Sequence, residues 1–263
     1  MHFKPGFPTA LHHDAAQAVN DFFSNIKSVD TVLLVNSCAR NQAVPESDLD
    51  FAILVEPGTS ERKIKNMESK WNAYSATHPA LVKYKQLSQF AHLHLDIITG
   101  SYTPTILEVG VASDYFEIEI GNQVCYSAPM NGPGDYFKEL QKKWLPYYDE
   151  ALRAQRFEMT KNACQYDLDH IPFFIKRKLY FQAFDILCKA FQEYLQSLFI
   201  AHGTYPIAYN KWIYYQIAEL MNLPGLYAKL PAILSVSNLE SEEINHKANM
   251  LRELLDQLDF NPA

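Results

Sequence analysis

A chain of 263 residues, set against roughly 150 residues per domain, fits one large domain or two modest ones, and two is the starting expectation. Hydrophobic residues at 48%, with 16 Tyr, 16 Phe and 3 Trp, supply apolar side chain for real cores and exclude an intrinsically disordered chain. The 23 basic and 30 acidic residues leave a net charge of -7, which opposes whole-molecule attraction to a nucleic-acid backbone and favours small substrates over polynucleotides.

Cys38, Cys125, Cys164 and Cys188 are scattered and form no CxxC pair, so neither a zinc signature nor a secreted disulfide framework is expected. A reducing cytoplasm fits best. The opening residues carry no apolar run followed by a cleavage-like site, and no stretch of about 18 apolar residues occurs, so neither export nor membrane spanning is expected.

In chain order, Ala16, Val19, Phe22, Phe23 and Ile26 recur at helical spacing and predict an amphipathic helix over 13–27. VDTVLLV (29–35) and LDFAILV (49–55) read as strands flanking a polar loop, the second ending at Pro57-Gly58. Residues 61–76 read as a helix, 81–87 as a short strand and HLHLDII (92–98) as a third clear strand. YFEIEIG (115–121) alternates apolar with acidic residues and predicts a fourth strand or a sheet edge. From about residue 134 the character changes, and 134–145, 148–165, 174–202, 209–221 and 239–258 read as helices, the third capped at His202-Gly203. The Pro- and Gly-bearing YSAPMNGPGD marks a soft boundary near 125–134.

The informative segment is the polar loop. Asp48 and Asp50 stand two apart at the head of a strand, so its period of two points both carboxylates to one side. Two unpaired carboxylates side by side repel, and a divalent cation would remove that penalty; the alternative is a pair of solvated or capping acids. Asp96 lies in an otherwise apolar strand, where an unpartnered charge is expensive, and it completes a three-carboxylate site if that strand neighbours 49–55. Such oxygen ligands suit Mg2+, which finishes its shell on water and substrate phosphates. Ser37 opens the loop after the first strand, where its hydroxyl and nearby N–H groups suit a terminal phosphate. Arg40 either neutralises the same phosphates or pairs with Glu46 or Asp48.

Asn36-Ser37-Cys38-Ala39-Arg40, followed by Ser47-Asp48-Leu49-Asp50 ahead of an apolar strand, resembles the nucleotidyltransferase signature, in which Gly-Ser at a strand end precedes Asp-x-Asp and a third Asp lies on a later strand. The resemblance covers roughly 15–125. The helical half, including YPIAYNKW (205–212), resembles more loosely the C-terminal domain of small-molecule nucleotidyltransferases such as the aminoglycoside and streptomycin adenylyltransferases. The fold class implied is α+β: a nucleotidyltransferase-like mixed sheet with helices (1–128), then an all-helical substrate and nucleotide-cleft domain (129–263).

The resemblance implies that Asp48, Asp50 and Asp96 hold Mg2+, as two ions, on ATP. AMP would pass to a hydroxyl of a small acceptor, an aminoglycoside-like antibiotic among the candidates, with pyrophosphate released. Ser37, Arg40 and Ser47 would serve the nucleotide, and Lys211 its β and γ phosphates unless it is a surface lysine beside Trp212. Tyr205 and Tyr209 either line the cleft or pack a core. Glu119, and after it Glu117, is the candidate general base, the alternative being a solvated sheet edge. His92 and His94 share a strand face with Asp96, as metal ligands, supporting partners or exposed rings. His12-His13 read as a solvated helix start and His170 as part of a turn.

Asn36 and Asn41 stand where the family has glycine, which opens a second reading: a catalytically weak or inactive nucleotidyltransferase-fold interaction or regulatory protein. A third, transfer onto a protein or RNA end, is opposed in its RNA form by the net charge. The expected partners are a nucleoside triphosphate and a small hydroxylated acceptor, without membrane or nucleic acid, on a monomer or homodimer.

Overall fold

A computed structural model describes residues 5–106 and 113–260. The chain divides into two compact units, Met1–Tyr102 with Glu119–Leu145, and Thr103–Ile118 with Pro146–Ala263.

The first unit opens with α1 (Ala10–Phe23), begun by Thr9, whose hydroxyl accepts the His12 N–H. There follow β1 (Val29–Leu34), the single turn α2 (Asn36–Ala39), β2 (Leu49–Val55), α3 (Glu61–Thr77), α4 (Pro79–Tyr84) and β3 (Leu93–Ile98). Then come α5 (Phe116–Ile120), whose residues up to Ile118 belong to the second unit, a π-helical turn (Gly121–Cys125), β4 (Ala128–Pro129) and α6 (Asp135–Trp144).

Two expected strands are helices. The 81–87 run falls largely in α4, where Pro79 sits in the first turn and its missing N–H costs nothing. The 115–121 run is α5 and the start of the π-turn, opened by Asp114, whose carboxylate accepts the Phe116 N–H at 3.2 Å. Alternate residues share a face on a strand but not on a helix. Glu117 is therefore buried and Glu119 exposed.

The sheet runs β3-β2-β1-β4, with β2 and β3 parallel and the other pairs antiparallel. Val32 and Leu34 of β1 and Leu49, Phe51 and Ile53 of β2 face one core with Val19 and Phe23 of α1, Trp71 of α3 and Leu81 and Tyr84 of α4. Alternation turns Leu33, Ala52 and Leu54 to the opposite face, where a side chain on Gly100 (φ 70°) would strike Leu140 of α6 and crowd Leu54. Asp30 secures α6 by accepting the N–H groups of Tyr136 and Phe137, each at 3.0 Å. Gly134 is required at this cap, because a Cβ there would meet the Asp30 carboxylate. On the same face Asp50 pairs with His94 and Ala52 with Asp96.

The second unit is helical: α7 (Glu150–Lys176), α8 (Tyr180–Ala201), a π-helical turn (Tyr215–Leu220), α9 (Pro224–Tyr227), α10 (Leu230–Leu234) and α11 (Glu243–Asp256). α7 is longer than the expected 148–165 helix and continues through Pro172, placing His170 inside the helix rather than in a turn. The break comes at Arg177–Leu179, with Lys178 at φ 59°, so α8 starts later than 174. Gly203 at φ 55° follows the His202 cap, in line with the expected helix end. Ala183, Leu187, Phe191 and Leu195 of α8 face one core with Leu168 and Ile171 of α7 and Leu251 and Leu255 of α11. Among the described residues no helix is long and apolar enough to cross a membrane.

Candidate active site

The site grows from the open end of the β1–β2 connection. After β1 the chain coils through α2, closed by Arg40 N–H to the Asn36 carbonyl (3.3 Å) and Gln42 N–H to the Ser37 carbonyl (2.9 Å). Asn36 has φ 57° and Asn41 φ 55°. Both asparagines thus adopt the left-handed conformation that the family's glycines would supply, which Asn tolerates better than most residues. Gly6 lies so close to Asn41 that a Cβ there would run into its amide, and its N–H reaches the Cys38 carbonyl at 2.9 Å.

Beneath this turn Cys38 is buried and its thiol approaches the Asp48 carbonyl at 3.8 Å. Burial, and secondarily the charge of Asp50, push that thiol up to about 12. Cys38 is therefore a packing group and not a nucleophile. Tyr84 is raised above the usual phenol range by burial first, then by Cys38, Asp48 and Asp50. Its hydroxyl lies 3.1 Å from the Ser47 carbonyl and 3.3 Å from that of His92, tying the aspartate loop to β3.

His12 corrects the expected solvated helix start. It is fully buried, with Nε2 3.0 Å from the Ser47 carbonyl and Nδ1 2.8 Å from the Thr9 hydroxyl. Because a carbonyl only accepts, Nε2–H is the donor to Ser47. A histidine one helical turn past a threonine cap was the available signal, but its partner lies 35 residues away. Ser47 closes the same loop by accepting the Val44 N–H at 2.9 Å.

On this support Asp48 and Asp50 are partly exposed and Asp96 is exposed. β3 orients Asp48: the His92 N–H donates to Oδ1 at 2.8 Å, and His94 Nε2 stands 3.7 Å from Oδ2. The Asp50 carbonyl accepts the Val35 N–H at 3.0 Å, locking the strand that carries it to β1. Among the described residues no group of three or more His, Cys, Asp and Glu side chains converges into a metal cage. By register Asp50 and Asp96 stand on the same face of β2 and β3, and Asp48 precedes β2.

The remaining residues singled out from sequence fall elsewhere. Arg40 is buried, with Nε 3.1 Å from Gln42 Oε1 and Nη1 3.2 Å from Asn122 Oδ1. Ser37 is partly exposed on α2. Glu117 accepts from Arg156 Nε (2.5 Å) and Nη2 (2.8 Å), Tyr148 (2.8 Å) and Gln196 (2.9 Å) in a fully buried network of the helical unit. With both oxygens engaged by these donors, Glu117 is committed to holding the helical unit together. Burial, then the charge of Glu117, raises the Tyr148 hydroxyl far above its usual range.

Lys211 is exposed, on a loop clasped by buried Gln216, whose Nε2 donates to the Lys211 carbonyl at 2.9 Å. Trp212 beside it adopts φ 61°. Tyr209 is turned into the helical core, as is Tyr205, whose ring lies 4.5 Å from that of Tyr147; for both the core-packing alternative is what the structure displays.

Residues 16–105 match the family described as nucleotidyltransferase domain. The match spans α1 through β3 and so contains Ser37, Asp48, Asp50 and Asp96. No curated protein matches the chain. With the mixed sheet and its paired aspartates, the match shows that the chain carries a nucleotidyltransferase domain and is a nucleotidyltransferase-type enzyme.

Proposed function

We propose that this chain is a Mg2+-dependent adenylyltransferase, which moves AMP from ATP to a hydroxyl of a small acceptor with release of pyrophosphate. Aminoglycoside-like polyols are the first acceptor class to try. The observation that carries the reading is the accessibility of three aspartates at neighbouring strands: Asp48 just ahead of β2, Asp50 in β2, and Asp96 in the parallel β3.

Magnesium, when bound, would supply charge to offset the triphosphate and to acidify the acceptor hydroxyl. The chain's part is to hold the donors still. Asp48 is oriented by the His92 N–H, and its loop is pinned through Ser47 by His12 and Tyr84. Ser37, partly exposed on the single turn α2 that leads into the aspartate loop, is assigned to phosphate oxygens. Of the two carboxylates considered for proton removal, Glu117 is committed to Arg156, which leaves Glu119.

The weakly catalytic reading drew its force from the missing glycines. Asn36 and Asn41 take the backbone conformation those glycines would take, which favours the catalytic reading. The test is pyrophosphate release from Mg2+-ATP across a panel of aminoglycosides and other polyols, beside calorimetric ATP titration. Asp50→Asn is expected to lower turnover by on the order of a hundredfold or more while leaving the fold intact. Absence of ATP binding at millimolar concentration would overturn the reading.

A further inference from the structure

We infer that the second unit holds a site of its own for a small uncharged aromatic molecule bearing a carbonyl oxygen, in a cavity between α8 and the chain from Tyr209 to Leu234. All the lining residues belong to the second unit, so the inference does not rest on the reading of the aspartates.

The cavity has a volume of about 330 Å3. That is at the small end of the roughly 300 to 1,000 Å3 span of ligand sites, which suits a compact ring system. The rings of Phe191, Tyr209 and Tyr227 line it with Ile213, Leu230 and Leu234, and no lining residue carries a charge. Phe191, Tyr209 and Leu230 are buried, Ile213, Tyr227 and Leu234 half-buried, and Asn210 exposed, so the cavity runs from a dry floor to an open mouth. A charged ligand would lose its hydration there without gaining a partner, whereas an aromatic one gains ring contacts.

Three polar groups of the wall lack partners. Gln192 accepts the Ser113 hydroxyl at 3.4 Å, but its amide N–H groups, like the side chain of Asn210, meet no partner among the described residues. The Tyr209 hydroxyl is buried without one. Each of the three can donate a hydrogen bond, so the complementary ligand atom is an acceptor, and a carbonyl oxygen accepts through both lone pairs without bringing charge.

One wall is also held in place against strain. Trp212, between the lining residues Asn210 and Ile213, sits at φ 61°, a strained conformation for so bulky a side chain. Gln216, fully buried, fixes this segment: it accepts the Ile207 N–H at 2.5 Å and donates to the Ala208 and Lys211 carbonyls, each at 2.9 Å. A wall shaped beforehand spares the ligand the cost of ordering it.

The test uses the full chain and prodan, an uncharged naphthyl ketone whose emission shifts to the blue when it leaves water. Saturable blue-shifted emission is expected, together with alkylation of Cys188 by N-ethylmaleimide slowed about fivefold at a prodan concentration a few times its Kd. Cys188 lines the cavity as a half-buried free thiol, and Cys125, also half-buried but in the first unit, is the internal reference. Cys188→Trp and Ile213→Trp, which fill the cavity from α8 and from the loop, are each expected to weaken prodan binding about tenfold or more with helical circular dichroism unchanged. The same dimethylaminonaphthalene ring without the ketone is expected to bind about fivefold more weakly. No saturable emission, unchanged Cys188 alkylation in the parent chain under saturating prodan, or binding that persists in both filled variants would overturn the site. Equal affinity for the ring without the ketone would overturn the carbonyl assignment.

Discussion

In the helical unit one ammonium faces two buried carboxylates, which makes Glu193 the sharpest test of how that unit is packed. Lys189 Nζ lies 2.8 Å from Asp167 of α7 and 3.6 Å from Glu193, one helical turn further along α8. Glu193 is 1% exposed. Burial first, and Asp167 second, push its carboxyl from an ordinary 4.5 up to about 8, against the pull of Lys189. Between those values the folded chain keeps a proton that the unfolded chain has released. Stability therefore falls as pH rises from about 4.5 and levels off above about 8. At about 1.4 kcal/mol per unit the ceiling is about 5 kcal/mol, and relaxation and water entry around the pair reduce it to roughly 2 to 3 kcal/mol. Glu193→Gln keeps the volume and abolishes the ionisation. Urea unfolding followed by helical circular dichroism should find the variant within about 1 kcal/mol of the parent near pH 5 and roughly 2 to 3 kcal/mol more stable near pH 9. Parallel pH profiles for parent and variant would refute the reasoning.

Two further outcomes bear on the candidate site. His12→Ala removes the bond to the Ser47 carbonyl and opens a void under the aspartate loop, so a loss of about 2 to 3 kcal/mol in thermal unfolding is expected. ATP affinity, measured where the variant is still folded, should fall as well; unchanged affinity would mean that the anchor does not position Asp48. Asn36→Gly and Asn41→Gly should stay within about 1 kcal/mol of the parent, whereas the alanine variants should each lose about 1 to 2 kcal/mol because both positions are left-handed. Alanine and glycine variants of equal melting temperature would contradict that account of the loop.

Local pattern carried the sequence far where it was strong and self-contained. The Val- and Leu-rich runs 29–35 and 49–55 are β1 and β2, HLHLDII is β3, and Asp50 lies in β2 with Asp48 just ahead of it. Local pattern misled where it was short or where a distant partner decided the outcome. LVKYKQL lacks the length to separate strand from helix, and Pro79 at its front settles it as α4. FEIEI alternates as a strand does, yet Asp114 caps it as a helix and Arg156, 39 residues beyond Glu117, gives that acid a buried partner.

What the sequence by itself determined is the chemistry on offer: a mixed sheet followed by helices, a polar loop after the first strand, and aspartates at the head of the second strand and within the third. Those properties depend on backbone periodicity and on side-chain type, which are local. The tertiary structure alone decided which polar groups are available and which are spent. It made Glu117 an ion-pair partner of Arg156, made His12 an anchor rather than a solvated residue, and buried Tyr209, for which cleft and core were both open. The reason is that burial and hydrogen-bond partnership depend on residues remote in the chain, and the fate of a charge follows its surroundings in space.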